Sequence, residues 1–207
     1  MKNHYKTEDG RHLRALITRN KIIHAAEKIF QQEGFQHTTI KQIINVAQIG
    51  YGTAYGHFKG KDELLIVLME DVMKRFFDIA HTPFFPSSRD EARGIILSQV
   101  LDFLRIADTE RQMMKVFSEA IGLSESVNQK WDEIRQKFIQ SITKDITYSQ
   151  AKGLARMDLK AELVARGWFY SNEMYQWEIV FEKNEESLEE IAETLTTMYV
   201  DAIYQKQ

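Results

Sequence analysis

Histidine and cysteine are the side chains best suited to nucleophilic catalysis and metal binding, and this chain of 207 residues uses them sparingly. It contains no cysteine, and all six histidines lie within the first 81 positions, at His4, His12, His24, His37, His57 and His81. The rest of the chain therefore cannot hold a histidine metal site, a Cys–His pair or a Ser–His pair. We find neither a P-loop nor a GxGxxG element. The sequence argues against an enzyme, and we expect no metal and no cofactor.

Charged side chains are distributed unevenly along the chain. The first 61 residues contain ten Lys or Arg against four Asp or Glu, whereas the whole chain contains 27 against 30. A basic N-terminal module on an acidic body is typical of proteins that bind polyanions such as nucleic acid. A run of like charge is also commonly just a solvated surface, so this pattern alone leaves both interpretations open.

The composition is that of an ordinary globular protein, with 43% hydrophobic and 28% charged residues. The longest strictly apolar run, Leu64–Met69, is far shorter than the roughly 20 residues of a membrane span. Residues 1–10 are polar and lack the apolar stretch of a signal peptide. We therefore expect a soluble, cytoplasmic protein without a membrane partner.

Helical periodicity dominates the sequence and predicts an all-α fold of nine or ten helices. Four segments have the Ser/Thr-x-x-Glu/Gln spacing of a capping box, which marks a helix start. They begin at Thr39, Ser88, Ser126 and Ser187. The only two prolines, Pro83 and Pro86, predict a loop between helices, and the helix that follows Ser126 is expected to end near Gly153.

Within residues 19–65 the pattern predicts two short helices braced by longer ones. A first amphipathic helix ends near Gly34, a second begins after Thr39, and a break at residues 48–50 separates it from a third that ends near His57. Two short helices joined by a tight turn form a helix-turn-helix. The second of them can enter the major groove of DNA, about 12 Å wide, and present side chains to base edges.

At these positions the chain resembles the TetR family of transcriptional regulators. The matching pattern is Arg19-x-x-Ile22-Ile23-x-Ala25-Ala26-x-x-Ile29-Phe30-x-x-x-Gly34-Phe35-x-x-Thr38-Thr39-Ile40-x-x-Ile43, followed by Ala47-x-Ile49-x-x-Gly52-Thr53-x-Tyr55-x-His57-Phe58-Lys59-x-Lys61-x-Glu63-Leu64-Leu65. The resemblance implies a helix-turn-helix head over residues 19–65, followed by a helical effector-binding and dimerisation domain (residues 66–207). A flexible basic arm (residues 1–18) would precede the head, with Lys2, Lys6, Arg11 and Arg14 adding nonspecific affinity for DNA or reaching a minor groove. It also implies a homodimeric regulator, most often a repressor, released from a palindromic DNA operator by a small-molecule effector.

The resemblance further assigns DNA contacts to individual residues. Thr39 would hold a phosphate, Tyr51 and Thr53 would reach bases or sugars, and the remaining residues would contact the phosphate backbone. The full set is Thr39, Tyr51, Thr53, Tyr55, His57, Lys59 and Lys61. Alternatives remain for several of them, because Tyr55 can be a half-buried core aromatic, His57 can fill a helix end, and the two lysines can be merely solvated. Four positions depart from the family pattern. Gln48 stands in place of the usual turn glycine and Gly50 in place of the usual serine cap. Ile44 replaces a small alanine, and Gly56 replaces a tyrosine or histidine aimed at the DNA.

The segment 158–181 differs from the other predicted helices because it is apolar on two faces. One face carries Leu163, Tyr170 and Met174, and the other carries Trp168 and Tyr175. A helix that is apolar on two sides must be covered on two sides. The cover is either the rest of the chain or a second subunit. We predict a subunit interface formed by Trp168, Tyr175, Ile179, Leu195, Met198 and Tyr199.

Large aromatic and methionine side chains accumulate in the body of the protein. Such residues on amphipathic helices are usually core, but they can also enclose a cavity for a mainly apolar molecule, as the family resemblance implies. The predicted ligand-binding residues are Phe103, Met114, Phe117, Trp131, Phe138, Arg166, Tyr170 and Met174. Arg166 is included as a partner for a ligand carboxylate.

Two other functions compete with DNA binding. A helical adaptor that binds only proteins would bury the segment 51–57 or place it against a protein partner. An enzyme would need a catalytic group that the histidine and cysteine distribution does not offer. A salt-dependent DNA shift assay separates the three classes.

Overall fold

The computed structural model describes residues 5–205 of the chain, with side chains from Gly10 onward. Within this range the chain forms nine α-helices and no β-strand, and this confirms the predicted all-α fold. The helices are α1 (Tyr5–His37), α2 (Ile40–Ala47), α3 (Tyr51–His57), α4 (Lys61–Ala80), α5 (Arg89–Thr109), α6 (Arg111–Leu123), α7 (Glu125–Ala151), α8 (Ala161–Val180) and α9 (Leu188–Ile203).

Local sequence signals account for most helix ends. Thr39 and Ser187 form complete capping boxes with Gln42 and Glu190, as predicted. Ser88 also caps its helix, because its hydroxyl accepts a hydrogen bond from the Glu91 amide. The prediction at Ser126 was wrong: α7 begins at Glu125, and the hydroxyl of the preceding Ser124 accepts from the Val127 amide at 3.3 Å. At its other end α7 stops at Ala151, two residues before Gly153, whose φ of +70° ends the helical path.

The N-terminal arm was predicted to be flexible, and the structure shows a helix instead. α1 begins at Tyr5 and continues into the helix predicted from residue 19, so Arg11 and Arg14 lie on a regular helical surface. The Arg14 Nε donates to the Gly10 carbonyl oxygen one turn earlier, at 2.9 Å. Lys2 and the side chain of Lys6, also predicted to belong to the arm, lie outside the described residues.

The chain divides into two compact units. The first, called the head unit, extends to Asp71 and also includes Lys115–Asn128. The second, called the body unit, consists of Val72–Met114 and the residues from Gln129 onward. The periodicity did not indicate that residues 115–128 belong with the head.

The head unit has a small core in which α1 packs against α2. Its fully buried side chains include Ile22, Phe30, Ile43, Leu64 and Leu65. Burial of aliphatic and aromatic side chains of this size stabilises each by about 1.5–3 kcal/mol. This core fixes the positions of the two short helices.

The body unit is built around α5, which packs against α8 and α9. Residues between α7 and α8 pair with the chain end after α9: the Arg156 amide donates to Ile203 O and the Gln205 amide to Leu154 O, each at 2.9 Å. The core contains these fully buried residues: Ala92, Leu104, Ile146, Ala155, Ala165, Ile179, Ala192 and Val200.

Candidate DNA-binding head and ligand cavity

The turn between α2 and α3 contains one residue in a left-handed conformation. Gln48 has φ 54° and ψ 50°, and its amide donates to carbonyl oxygens in the last turn of α2. This is the αL ending in which glycine is usual, because a β-carbon is disfavoured there. Gly50 then begins α3 without a side-chain hydrogen bond. The helix-turn-helix therefore forms with neither of the residues that usually stabilise its turn.

The seven-residue helix α3 exposes nearly all of its side chains. Only Ala54 is buried, whereas Tyr51 and Tyr55 are 51% and 55% exposed and Thr53 is exposed as well. The two tyrosine rings stack on each other with centroids 6.4 Å apart. At 55% exposed, Tyr55 lies outside the core of the head unit. Two adjacent aromatic side chains with hydroxyl groups are available to hydrogen-bond or stack against another molecule.

Thr39 lies at the N-terminus of α2, where a phosphate contact was predicted, but the structure uses its polar groups within the capping box. Its amide donates to the Gln42 Oε1 at 2.7 Å, and its hydroxyl lies 2.7 Å from the same oxygen. The hydroxyl also accepts from the Gln42 amide at 3.3 Å. A phosphate contact through these groups would have to open or share the capping hydrogen bonds.

Lys61 was predicted to contact DNA, and in the structure its ammonium group makes hydrogen bonds at the end of α1. Its Nζ donates to the carbonyl oxygens of Phe35 at 2.6 Å, Gln36 at 3.3 Å and Thr38 at 3.1 Å. The same nitrogen lies 4.3 Å from the centroid of the Phe35 ring. The last carbonyls of a helix have no partner within the helix, and a cation satisfies both their hydrogen bonds and their partial negative charge. Lys61 thus fixes the link between α1 and α2.

Lys59 and His57 lie next to each other at the end of α3 but differ in exposure. The Lys59 side chain is exposed, while its amide donates to the Glu63 carboxylate at 2.6 Å. His57 is half-buried and its ring lies against Phe58, with centroids 6.5 Å apart. Lys59 is therefore the freer of the two to meet a phosphate.

Sequence inspection missed Glu119, a residue of α6 that holds the end of α1. Its carboxylate accepts from the amides of Phe35 at 2.8 Å and Gln36 at 3.0 Å. It lies directly over Gly34, whose φ is 73° and ψ 178°, and a β-carbon there would come within 2.7 Å of the carboxylate oxygen. The partners are 84 positions apart in the chain, so only the pattern Gly34-Phe35 hinted that something had to approach closely at this point.

A second carboxylate ties the start of α4 to the connection between α6 and α7. The hydroxyl of Ser124 donates to Asp62 Oδ2 at 2.6 Å. Together, Asp62, Glu119 and Lys61 connect the described parts of the head unit through charged hydrogen bonds, which are stronger than neutral ones.

The body unit encloses an apolar cavity of about 90 Å³. This exceeds several-fold the roughly 10–15 Å³ that one water molecule requires in the same measure. Its wall is mostly aromatic and aliphatic, with a few polar side chains. The lining residues are Met73, Phe76, Ala80, Phe84, Ile96, Gln99, Val100, Phe103, Trp131, Ile134, Phe138, Ser141, Ile142, Asp145, Trp168, Phe169, Asn172, Glu173, Gln176, Tyr199 and Tyr204.

Three of the eight predicted ligand-binding residues line this cavity: Phe103, Trp131 and Phe138. The other five do not. Met114 is buried away from it, Phe117 belongs to the core of the head unit, and Arg166 is exposed on the surface of α8. Tyr170 and Met174 are also exposed and line a separate, more open groove. The cavity therefore draws on a different face of α8 from the one predicted.

The six residues predicted for the subunit interface also differ in burial, and three of them lie in the core of their own chain. Ile179, Leu195 and Tyr199 are buried in the core of their own chain, so they have no surface left for a partner. Trp168 stacks on Tyr199 with ring centroids 4.1 Å apart and lines the cavity. Tyr175 is partly buried against the same core, and Met198 alone of the six is well exposed, at 65%.

The opposite face of α8 is the exposed one. Leu163, Tyr170, Met174 and Phe181 are 56%, 46%, 51% and 40% exposed. We call these four residues the exposed α8 face. Because α5 and α9 cover one side of the helix, the other apolar side faces outward in this single chain.

The charged groups of the cavity wall differ in how they are satisfied. Glu173 accepts from Trp131 Nε1 at 3.0 Å and from Arg135 Nε at 2.8 Å. Asp145 has no hydrogen-bond or ion-pair partner among the described residues, and burial raises the pKa of its carboxyl to about 7 although Lys144 opposes the shift. Burial and the nearby Asp145 also raise the pKa of Tyr204 to about 12 and shift that of Tyr199 upward.

A sequence signal for Asp145 existed. The apolar stripe of α7 includes Phe138 and Ile142, and Asp145 follows them at helical spacing of seven and three residues. A carboxylate in an apolar stripe faces the interior, yet the many surface acids of this chain hid it.

Other kinds of site are lacking from the part of the chain that the structure describes. Among the side chains described, from Gly10 to residue 205, no group of three His, Cys, Asp or Glu is placed to hold a metal ion. None of the described helices is long and apolar enough to cross a membrane.

An exposed recognition helix in a helix-turn-helix, joined to a helical unit with an internal cavity, defines a helix-turn-helix transcriptional regulator. Residues 22–68 match the family described as bacterial regulatory proteins, tetR family, and residues 97–205 match the C-terminal domain of the transcriptional regulator EthR. The chain belongs to the TetR family, as its resemblance in residues 19–65 predicted.

Relatives and solved structures agree with this assignment. The chain is 31% identical over 141 residues to the HTH-type transcriptional regulator YhgD of Bacillus subtilis, an alignment that covers 66% of this chain and 68% of YhgD. It is 27% identical to the HTH-type transcriptional repressor KstR2 of Mycolicibacterium smegmatis, over 72% of each chain. The structure of a SmeT–triclosan complex superposes with a TM-score of 0.72 at 18% identity and covers 92% of this chain and 93% of SmeT.

Proposed function

We propose that this protein is a cytoplasmic repressor that binds a palindromic DNA operator as a homodimer and leaves it when an apolar small molecule enters the body unit. The observation that carries this proposal is the exposed pair Tyr51 and Tyr55 on α3, which no core contact explains. The repressor KstR2 and the ligand complex of SmeT support repression and effector binding by analogy.

In the proposed complex α3 lies in the major groove, with Tyr51 and Thr53 facing base edges or sugars. Tyr55, His57 and Lys59 contact phosphates along the groove. Thr39 lies at the N-terminus of α2, where backbone amides favour a phosphate. Lys61 contributes its positive charge to the potential around the DNA, but its three hydrogen bonds remain within the head unit.

We propose that the exposed α8 face forms the subunit interface together with Met198. Its four large apolar side chains remain 40–56% exposed in the single chain. A two-fold axis there would carry two heads onto successive major grooves, about 34–36 Å apart, and would require a palindromic site.

The effector would act through α4. This helix starts in the head unit at Lys61, and its later residues Met73, Phe76 and Ala80 line the cavity. A ligand that moves these residues would move the helix that begins beside the reading head. Coupling is reciprocal: a ligand that weakens DNA binding tenfold must itself bind about tenfold more weakly to the DNA complex, a coupling of roughly 1.4 kcal/mol.

The DNA-binding part is tested by selecting bound sequences from fragmented genomic DNA with the purified full-length protein. We expect a palindromic site and a strong decrease of affinity with salt. Lys59→Ala should lower the slope of log affinity against log salt by about one, whereas Thr53→Ala should change the preferred sequence if Thr53 contacts a base. Failure to enrich any site would contradict the proposal.

The interface is tested by sedimentation. Met174→Asp, which places a charge in the exposed α8 face, should convert a dimer to a monomer at micromolar concentration. Gln140→Asp, at an exposed position of α7, is the control and should leave the dimer intact. A monomeric unaltered protein, or a dimer that survives Met174→Asp, would rule out this interface.

A further inference from the structure

The cavity wall of the body unit has an unusual charge composition for a site that was expected to hold a ligand carboxylate. No Lys, Arg or His is among its lining residues, but Asp145 and Glu173 are. Arg166, the predicted partner of a carboxylate, lies on the outer surface. A ligand anion would find no positive side chain in this wall.

Of the two carboxylates, Glu173 already has its negative charge balanced by Arg135. It accepts two hydrogen bonds from Arg135 Nε, at 2.8 and 3.1 Å, and one from Trp131 Nε1. The Arg135–Glu173 pair therefore contributes little net charge to the cavity.

Asp145 lacks such a partner. The titratable groups that face it are the phenols of Tyr199, on α9, and Tyr204, at the end of α9, together with its neighbour Lys144. The Lys144 side chain is exposed and makes no ion pair with Asp145. A partly buried carboxylate without hydrogen bonds is costly, and the raised pKa of Asp145, about 7, reflects that cost. A cation placed beside it would remove the cost.

Asn172 supplies a second unused acceptor in the same wall. Its side chain is only 7% exposed, its Nδ2 donates to the Trp168 carbonyl oxygen at 2.8 Å, and its Oδ1 has no partner. Buried amide oxygens are rarely left without a hydrogen bond. Asp145 and the Asn172 Oδ1 are therefore both acceptors, and both favour a positive or hydrogen-bond-donating ligand.

The aromatic part of the wall fits the same kind of ligand. The Trp168 and Tyr199 rings stack with centroids 4.1 Å apart, and Tyr204 lies against Tyr199 at 6.4 Å, edge to face. Indole and phenol faces attract organic cations, most strongly where water is excluded. We propose that the effector of this cavity is an apolar organic cation, held by the carboxylate of Asp145 and the rings of Trp168 and Tyr199. This assignment rests on the proposed role of the cavity as an effector site.

The test uses two probes of the same shape that differ only in charge: phenyltrimethylammonium and tert-butylbenzene. Calorimetry at pH 8 with the full-length protein and no DNA should show the cation binding at least tenfold more tightly. Asp145→Asn should abolish this preference by weakening the binding of the cation, while tert-butylbenzene should bind the variant as tightly as it binds the unaltered protein. Equal or tighter binding of tert-butylbenzene to the unaltered protein would overturn the proposal, as would a preference that survives Asp145→Asn.

The pH dependence provides a second readout. Since the quaternary cation has no proton to lose, its affinity should rise below pH 7, by at most tenfold per pH unit, and level off above it, as Asp145 ionises. In Asp145→Asn the affinity should be independent of pH in this range. An affinity for the unaltered protein that does not change between pH 5 and 8 would contradict a role for Asp145.

Failure of this assignment can be distinguished from failure of the proposed function by adding the operator. If tert-butylbenzene releases the DNA and the cation does not, the effector role stands and the cation assignment falls. If the cation binds as expected but no specific DNA site exists, the cation assignment stands and the repressor function falls.

Discussion

The head unit and the body unit differ in how some of their partly buried polar groups are satisfied. In the head, Lys61 satisfies three carbonyl oxygens and Glu119 satisfies two amides. In the body, Asp145 and the Oδ1 of Asn172 remain without partners in the wall of a cavity. A group whose hydrogen bonds are complete holds its element in place, whereas a group without partners is available to a ligand and costs stability until one arrives. These groups of the head unit therefore hold its helices in place, whereas these acceptors of the body unit remain available to a ligand.

The largest effect should come from breaking the head at Gly34. Gly34→Ala places a β-carbon in a conformation that only glycine adopts readily, with φ 73° and ψ 178°, and within 2.7 Å of the Glu119 carboxylate. We expect a loss of about 3 kcal/mol or more in the free energy of unfolding, combining backbone strain with the displacement of Glu119. Denaturant unfolding measures it.

A matched control and a second variant identify the cause. Gly94→Ala, at an exposed position of α5 with nothing near its β-carbon, should instead stabilise by about 0.5–1 kcal/mol, because alanine is the better helix former. In a Glu119→Ala background, Gly34→Ala should cost less than in the unaltered chain. Equal costs in both backgrounds would show that the carboxylate does not matter.

Next in size is the removal of the Lys61 ammonium. Lys61→Met keeps most of the aliphatic length but leaves the carbonyls of Phe35, Gln36 and Thr38 to find water, which we expect to cost about 2 kcal/mol of stability. Lys59→Met, whose side chain is exposed, should leave stability unchanged and lower DNA affinity. Thermal unfolding and DNA binding of both variants separate the two roles. Should Lys61→Met reduce only DNA affinity, the internal role inferred from the structure would be wrong.

In the body unit, by contrast, removing a charge should stabilise the protein. The pKa of Asp145 is raised to about 7 in the folded chain from an ordinary value of 3.8, so the folded state binds its proton more tightly than the unfolded state. Stability is then highest below pH 4 with respect to this group and is lost as the pH rises toward 7. The formal loss by pH 8 is about 4 kcal/mol, and water that reaches the carboxylate reduces it.

Asp145→Asn should remove this dependence. We expect the variant to be more stable than the unaltered protein by about 1–2 kcal/mol at pH 8, because the amide is neutral but is still partly buried without a partner. The difference between the two proteins should shrink as the pH falls to 5. Denaturant unfolding at both pH values decides it, and a variant that is less stable at pH 8 would show that Asp145 has a partner in solution.

How far the sequence predicts this molecule also differs between the two units. Capping at Thr39 and Ser187 and the helix-turn-helix pattern depend on residues a few positions apart, and both were predictable. The sequence could not predict which face of α8 lies inside, because both faces are apolar and only the placement of α5 and α9 distinguishes them. As a result Trp168 and Tyr199 were assigned to a partner subunit, although they line the cavity. The hydrogen bond between the Phe35 amide and Glu119, next to Gly34, joins residues 84 positions apart in the chain, and no local pattern encodes it.

The smallest effect on stability is expected at Gln48, and it tests whether the turn of the head unit can be made more stable. Gln48 adopts a left-handed conformation with φ 54° and ψ 50° and exposes its side chain. A residue with a β-carbon pays about 1–2 kcal/mol there. Glycine avoids this strain but loses more entropy on folding, so Gln48→Gly should stabilise by about 0.5–1 kcal/mol.

The same substitution at Gln32, an exposed position within α1, should destabilise by about 1 kcal/mol, since glycine is a poor helix former. The two variants should therefore shift the denaturation midpoint in opposite directions. If Gln48→Gly lowers the midpoint, the side chain of Gln48 must contribute to the turn in a way that offsets its backbone strain, and the head would then use even this position for stability.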